Sequence, residues 1–595
     1  MALLYSKSLK LSALIVSLLI YSMNVCSQTI PASRTVDWSL AGLRDSVNDP
    51  SLFINATSFG AQGDGVTVNN LPLQNAFIAA GGNPAVIYFP AGTYLFNSSV
   101  SVPSGIIIRG DSSGTTEMKF DLSGTNSNLF NVNGTSSATE FPLLADAVKD
   151  DTFFLVPGAA GYTSGMFIKL FQDDDTLVTS SWALNSVAQV LQVTGINNDS
   201  VFLSSPLRRD YLLSENARVK QLFPKTNVGF ECFKIERLDS TAGQTSNFNF
   251  DIAVNCWIKG VESYRTNFAH VAVSTSSNLL ITGNYFHHSF GYGGGGRAYG
   301  ALLQFSTGEV LVENNIFRNL RHSMILQAGA NGNVFAYNYS LDAYWNEGSL
   351  PVNSAGDMVL HGNFVFANLF EGNIGQNIVI DNSHGINGPF NTFFRNRAVR
   401  YGLIMNNNPA SNDQNFAGNE ITNTGPFMGN YVLYGTGHYQ YGNMIKGVLT
   451  PAGTNGPLQD SYYTISKPWF FGATPWPSIG PPQPYNTGTI PAAVNYNSGN
   501  YTICNDIQTG IFNSVVTTVN VSIYPNPARS SFTLKAEGFD PAGLHIKIFD
   551  SFGRLVYELR NHQAEMLIDL NSAKGVYMIV VTDGKNLWQQ KLILN

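Results

Sequence analysis

Six of the nine histidines lie between residues 270 and 384: His270, His287, His288, His322, His361 and His384. The wider stretch between Lys259 and Lys446 carries Arg265, Arg297, Arg318, Arg321, Arg395, Arg397 and Arg400 and no lysine. Imidazole moves protons near neutral pH, and a guanidinium fork grips a planar carboxylate or sulfate with two parallel bonds. Together they suit β-elimination on a uronic acid: a cation neutralises the carboxylate, a base removes the neighbouring proton, and an acid protonates the leaving oxygen. Without lysine the base falls to His, Tyr or Arg. His322 beside Arg321, with His361 and His384 one and two repeats further on, is the set whose spacing fits. Arg297, Arg321 and Arg395 are the candidates for the carboxylate, Arg318 and Arg397 are further substrate contacts, and Tyr344 or Tyr339 would be the acid. Each arginine has a plainer reading as the partner of a surface acid such as Glu309, Glu313, Asp342, Glu347 or Asp357.

Hydrolysis of a glycosidic bond needs two carboxyl groups roughly 5 to 9.5 Å apart. Asp342, Glu347, Asp357, Glu371 and Asp381 are available, and Asp357 and Asp381, 24 residues apart, could stack on neighbouring repeats. A noncatalytic glycan-binding or adhesive surface is the third class. It would account for recurring Asn and aromatic residues but not for His concentrated with Arg.

These residues need a scaffold that returns at a fixed period. An Asn among aromatic or aliphatic residues recurs at 284, 315, 338, 368, 396, 419 and 443, with steps of 31, 23, 30, 28, 23 and 24. Within each step stand short alternating runs such as Leu279-Leu280-Ile281-Thr282 and Val310-Leu311-Val312, broken by Gly, Asn and Ser. That is strand and turn chemistry at a solenoid period. It predicts an all-β, right-handed parallel β-helix, with the Asn residues at the tight bends, in left-handed dihedrals and bonded to neighbouring coils. Cys232 and Cys256, about one coil apart, would be a stacked disulfide or, the plainer reading, two buried thiols; with Cys504 the odd count gives no dense disulfide framework and no zinc pattern.

Two stretches carry family resemblances. Ser58-Phe59-Gly60-Ala61-Gln62-Gly63-Asp64-Gly65, an apolar run Leu71 to Ala80, and Val86 to Leu95 resemble the opening of the pectate-lyase-like superfamily. The resemblance implies an N-terminal cap and first coil, within residues 28–140. Residues 141–225 change to longer strands at hairpin spacing, a β-rich insertion that could wall one side of a cleft. Its Asp173-Asp174-Asp175 offers oxygen ligands for a calcium ion or is simply a solvated loop. Central coils with the active face occupy 226–450, and a Pro/Gly-rich cap and linker 451–516. There Trp469, Phe470, Phe471 and Trp476 would stack on sugars or pack across the solenoid end. In residues 517–595, Val521 to Ala528, Ile546 to Asp550, Gly575 to Val581 and Lys591 to Leu594 resemble the C-terminal sorting domain of the type IX secretion system of Bacteroidetes. That resemblance implies a small β-sandwich, secretion machinery as partner, and export through the outer membrane to the surface or medium.

Residues 1–27 read as a secretory signal peptide: Lys7 and Lys10, an apolar run Leu11 to Ile20 too short to span a membrane, then small residues before Gln28. Charged residues make up 12% of the chain and its net charge is -7. There is no basic field for nucleic acid, and the surface is built from Asn, Ser, Thr, Gly and Tyr. The reading that joins these features is a secreted polysaccharide-degrading enzyme, a lyase before a hydrolase. Hydrolysis is the less favoured because the adjacent-Asp motif of β-helix polygalacturonases is not evident.

Overall fold

The computed structural model describes residues 30–44, 49–348 and 351–504, and then 520–537, 539, 544–550, 555–560, 563, 565–570, 573–582 and 587–594. The expected signal peptide and Cys26 lie outside the described residues. Two compact units divide the chain, Met1–Asp506 and Ile507–Asn595.

The first unit is a parallel β-helix with three strands per coil. The first face stacks Trp257–Lys259, Leu280–Thr282, Leu311–Glu313, Val334–Ala336, Leu369–Glu371, Thr392–Phe394 and Asn415–Ala417 within a twelve-stranded parallel sheet. The second face holds Glu262–Thr266, Tyr285–Ser289, Ile316–Arg318 and Tyr339–Leu341. On the third lie Ala269–Ser274, Tyr299–Gln304, His322–Leu326 and Met358–His361. Alternate side chains point inward because strand periodicity is two. Phe335, Phe370, Phe393 and Phe416 stack inside the first face at centroid distances of 5.2, 5.0 and 5.6 Å. Near the start, the helix Asn70–Ala80 buries Leu73, Ala76 and Phe77 against the same core, which covers the open end a solenoid would otherwise expose.

Between the first and second faces runs a ladder of buried amides: Asn284, Asn315, Asn338, Asn373, Asn396, Asn419 and Asn443. Each but the last donates from Nδ2 to the Oδ1 of the next, at 2.9 to 3.2 Å. Each also donates to a carbonyl of the preceding coil, as Asn338 does to Val312 O at 2.8 Å. The ladder steps are 31, 23, 35, 23, 23 and 24. Asn373, not Asn368, is the fourth member. Asn368 belongs to a second ladder, Asn333, Asn368, Asn391 and Gln414, at the corner before the first face. Nor do the ladder residues take the left-handed bend themselves. The residue before each one does: Gly283, Asn314, Tyr337, Gly372, Arg395, Gly418 and Gly442 all have φ between 53° and 67°. The chain turns at that residue, which lets the following amide enter the core.

Residues 135–223 form a six-stranded antiparallel sheet with its own core of Phe154, Ile168, Leu170, Leu191, Val201 and Val219. It is held to the helix through Arg208, which bonds Glu309 and, at 2.8 Å, Asn331, and through Ser306 Oγ donating to Ser186 O at 2.7 Å.

The segment after the last coil runs back along the corner that bears the first ladder. Tyr462 N donates to Glu371 at 2.9 Å, Tyr463 OH to Glu313 at 3.1 Å, and Trp476 Nε1 to the Tyr337 hydroxyl at 2.9 Å. Cys504 then joins Cys232 in a disulfide. The expected pairing or packing of Cys232 with Cys256 is thereby corrected. Cys256 points into the core as a free thiol, and burial pushes its pKa up to about 12, whereas Cys232 sits at a left-handed corner, φ 61°, where the returning segment reaches it. Trp469 and Trp476 thus belong to a strap; Phe471 packs edge-on against Tyr337 at 4.8 Å.

The second unit pairs a three-stranded and a four-stranded antiparallel sheet around Phe532, Leu534, Ile546, Ile548, Ile568, Ile579, Val581 and Leu592. No helix among the described residues is long and apolar enough to cross a membrane.

Asn338→Ala would remove the partner of the buried Asn315 N–H and amide and of the Val312 carbonyl, while Asn373 Oδ1 keeps the main-chain N–H of residue 338. Each unmatched group costs about 1 to 3 kcal/mol, so urea unfolding of the variant should show a loss of about 3 kcal/mol or more. A loss below about 1 kcal/mol would mean that the ladder does not hold the coils.

Candidate active site

The third face presents two rows outward. One is apolar: Ala272, Leu302, Ile325 and Val359 form a small layer outside the main core, with Phe268 and Tyr299 packed into it. The other is polar. Coil register aligns Asp251 with Ser274 and Ser274 with Gln304, Gln327 Nε2 donates to Gln304 Oε1 at 2.6 Å, and His361 lies opposite Asp381.

Over these rows opens a cleft of about 420 Å3 lined by Trp182, Phe268, Tyr299, Gln304, Arg321, Gln327, His361 and His384, among others. One wall comes from the insertion, whose backbone is tied to the helix where Thr179 and Ser180 donate to Asn363 Oδ1 at 3.0 and 3.3 Å. This places Trp182, 46% exposed, at the rim. The other wall is the four-glycine loop. Gly296 has φ 75°, and a Cβ there would come within 2.4 Å of Gln244 and 2.9 Å of Phe268, so only glycine lets the loop pass so close.

The structure brings His322, His361 and His384 together. Tyr299, His322, His361, His384 and Trp182 form a continuous row of rings with centroid distances of 5.3, 5.6, 4.9 and 5.3 Å. His361 Nδ1 stands 2.6 Å from Asp381 Oδ2. The carboxyl of Asp381 is raised by burial, but the adjacent His361 ring and the bonds from Ser383 outweigh this and hold it below the usual carboxylate range. Asp381 thus stands against the His361 ring at ion-pair distance, with an approach that falls outside hydrogen-bond geometry at Nδ1. His322 is buried, with Nδ1 3.2 Å from Gly356 O, and desolvation followed by the charge of Arg321 keeps its pKa far below the ordinary imidazole value. Burial, and then His361, also lower His384. Arg321 donates to Gly293 O at 2.8 Å, while its buried Nε has no partner among the described residues. Burial pushes the Tyr299 hydroxyl up to about 12.

Other expected residues stand elsewhere. Arg395 is 2% exposed and spends its guanidinium on the carbonyls of Leu458, Gln459, Ile479 and Pro481. Arg397 is buried between Glu420, at 2.7 Å, and Gly488 O, at 2.6 Å. Both pin the strap and neither can meet a substrate. Arg318 lies on the second face, 2.8 Å from Asp342. Tyr344 packs edge-on against Tyr292 at 5.0 Å, and Tyr339 against Tyr496 at 5.7 Å; neither lines the cleft. Arg297 belongs to the glycine-loop wall and donates to Ala242 O at 3.1 Å. Asp357 is fully buried, accepting from Ser340, Gln376 and Asn377, and desolvation pushes its carboxyl up to about 6. It cannot partner Asp381 in hydrolysis. Asp173 is taken by Arg218 at 2.7 Å, and Asp174 by the amides of Asn185 and Val187. Among the described residues no cluster of three or more His, Cys, Asp or Glu could hold a metal ion. Sequence reasoning missed Trp182, Gln244, Phe268, Tyr299, Gln304 and Gln327. Only the glutamines had a signal, their separation of 23 residues matching one coil.

Residues 53–155 match a family model described as rhamnogalacturonase A/epimerase, pectate lyase-like, and residues 522–595 match the secretion system C-terminal sorting domain. The chain therefore carries a pectate-lyase-like β-helix and a type IX sorting domain, which directs it across the outer membrane. No curated protein matches the chain. Among solved structures, the tailspike gp49 of Pseudomonas phage LKA1 aligns at TM-score 0.40 and 14% identity over 62% of this chain and 64% of its own. The catalytic unit of a GH87 α-1,3-glucanase from Streptomyces thermodiastaticus aligns at 0.40 and 12%, over 70% and 69%. The A-module of the mannuronan C-5 epimerase AlgE6 from Azotobacter vinelandii aligns at 0.27 and 12%, over 65% and 99%.

Because His322 is kept neutral when folded, the unfolded chain takes up its proton from about pH 6.5 downward. Stability is then unaffected above that pH and falls as pH drops below it. His322→Gln should flatten the stability slope between pH 6.5 and 5 by about 1.4 kcal/mol per pH unit. An unchanged slope in denaturant titrations would show that His322 is protonated in the native protein.

Proposed function

We propose that the protein is a secreted polysaccharide lyase that cleaves a uronate-containing polymer by β-elimination in the third-face cleft. The observation that carries this reading is the conjunction of an imidazole backed by a carboxylate, His361 with Asp381, and a guanidinium with an unmatched buried donor, Arg321, in a cleft that no carboxylate lines among the described residues. Arg321 would take the substrate carboxylate and stabilise the charge that develops on it. Nε2 of His361 would then remove the proton at C5, with Asp381 stabilising the imidazolium. As the C4–C5 double bond forms, the C4–O bond breaks and the leaving oxygen receives a proton. Tyr299, whose raised pKa keeps its hydroxyl protonated, lines the cleft and replaces Tyr344 as the proton donor. Trp182 and Phe268 offer faces on which sugar rings can stack, and Gln304 and Gln327 offer amides to their hydroxyls.

Hydrolysis lacks support here because Asp357 is sealed in the interior and Asp381 is engaged by His361.

His361→Ala should lower kcat on a polyuronate by about a hundredfold or more, the usual worth of general base catalysis, with little change in KM. Asp381→Asn should lower kcat as well, and Arg321→Gln should both raise KM and lower kcat. Retention of full activity by His361→Ala would remove that residue from the reaction.

A further inference from the structure

Lys169, on the strand Phe167–Phe171 of the insertion, lies directly opposite Lys220 on Arg218–Phe223, and Phe171 lies opposite Arg218. The three cationic groups surround one ring: Nζ of Lys169, Nζ of Lys220 and Cζ of Arg218 are 5.6, 5.4 and 4.4 Å from the centre of Phe171. Glu140 and Asp173 neutralise Arg218, at 2.9 and 2.7 Å. Neither lysine has an ion-pair partner among the described residues, and Lys169 is only 9% exposed.

Like charges directly opposite on neighbouring strands repel, and a buried ammonium with no direct ion pair is costly. Burial and then Lys220 lower the Lys169 pKa to about 8, against the weaker pull of Asp174, Asp251 and Glu140. The pattern is that of a site that accepts an anion. We infer that Lys169 and Lys220, with Phe171 between them, seat an anionic group of a saccharide, a uronate carboxylate or a sulfate ester, at a subsite remote from the point of cleavage. The aromatic ring suits a sugar face beside the anion. The charge of the nearby Asp251 is felt by Lys169, and Asp251 heads the polar row that continues through Ser274, Gln304 and Gln327 to His361. Four coils separate it from His361, about 19 Å at roughly 4.8 Å per coil. An extended chain lying along that row would meet both places. The inference takes its choice of saccharide from the function proposed above, but binding here needs no turnover.

The test uses the Arg321→Gln protein, in which the cleft's own carboxylate contact is removed, and titrates it calorimetrically with an oligogalacturonate and separately with inorganic sulfate. Adding Lys220→Gln, a change at a partly exposed position that spares the insertion core, should weaken oligogalacturonate binding about tenfold or more, the usual value of a charge-assisted bond. Lys169→Gln should do the same. Unchanged affinity in both lysine variants would overturn the assignment, as would a lysine-dependent response to sulfate with none to the oligosaccharide. Loss of turnover in His361→Ala, with this binding intact, would separate the subsite from the reaction.

Discussion

The structure depends on a side-chain amide satisfying its neighbour from one coil to the next. At each corner between the first and second faces the backbone must turn sharply, and turning leaves main-chain groups without strand partners. A buried Asn meets that need from both ends: at the bend of the preceding coil its oxygen takes the main-chain N–H and its nitrogen donates to the carbonyl, while the same nitrogen reaches the amide oxygen of the next coil's Asn. Buried polar groups are tolerated only when matched in this way. The ladder therefore fixes coil register, and coil register is what places Gln304, Gln327, His361 and Asp381 in one row although the chain between them varies in length. Coil length varies only in the loops, and the glycine loop of the cleft wall is one of these.

Much of this was legible because the solenoid repeats its constraint. The Asn period announced the fold, and histidines at coil-like intervals met in space as their spacing implied. The misplacement of Asn368 has a physical cause. Two corners use the same amide chemistry, so a sequence shows one series of Asn residues where the fold has two. Arg395 and Arg397 misled for a different reason. They occupy a bend and the start of a strand, positions that face outward on a bare solenoid, but here the chain returns over that corner and buries them. A strap that closes with a disulfide spanning 272 residues leaves no local trace. Likewise Trp182 and Phe268 reach the cleft from a separate sheet and a loop, which no periodicity connects to His361.

The division of labour between the two units follows from their surfaces. The sorting domain is a small antiparallel unit with its own core, matched by its family model over residues 522–595, and it supplies an address. The β-helix supplies a long outward face with a polar row beside an apolar one. Among the described residues, Arg321 and the Lys169–Lys220 pair are cations near that face with no ion-pair partner, and the proposed function and subsite rest on them.

The most direct test of the account is the chemistry of the product. Purified mature protein incubated with a polyuronate should generate new reducing ends and, in step with them, the ultraviolet absorbance of an unsaturated uronate, because elimination leaves a double bond at the cut end. Reducing ends without that absorbance would identify hydrolysis and contradict the role given to His361 and Arg321.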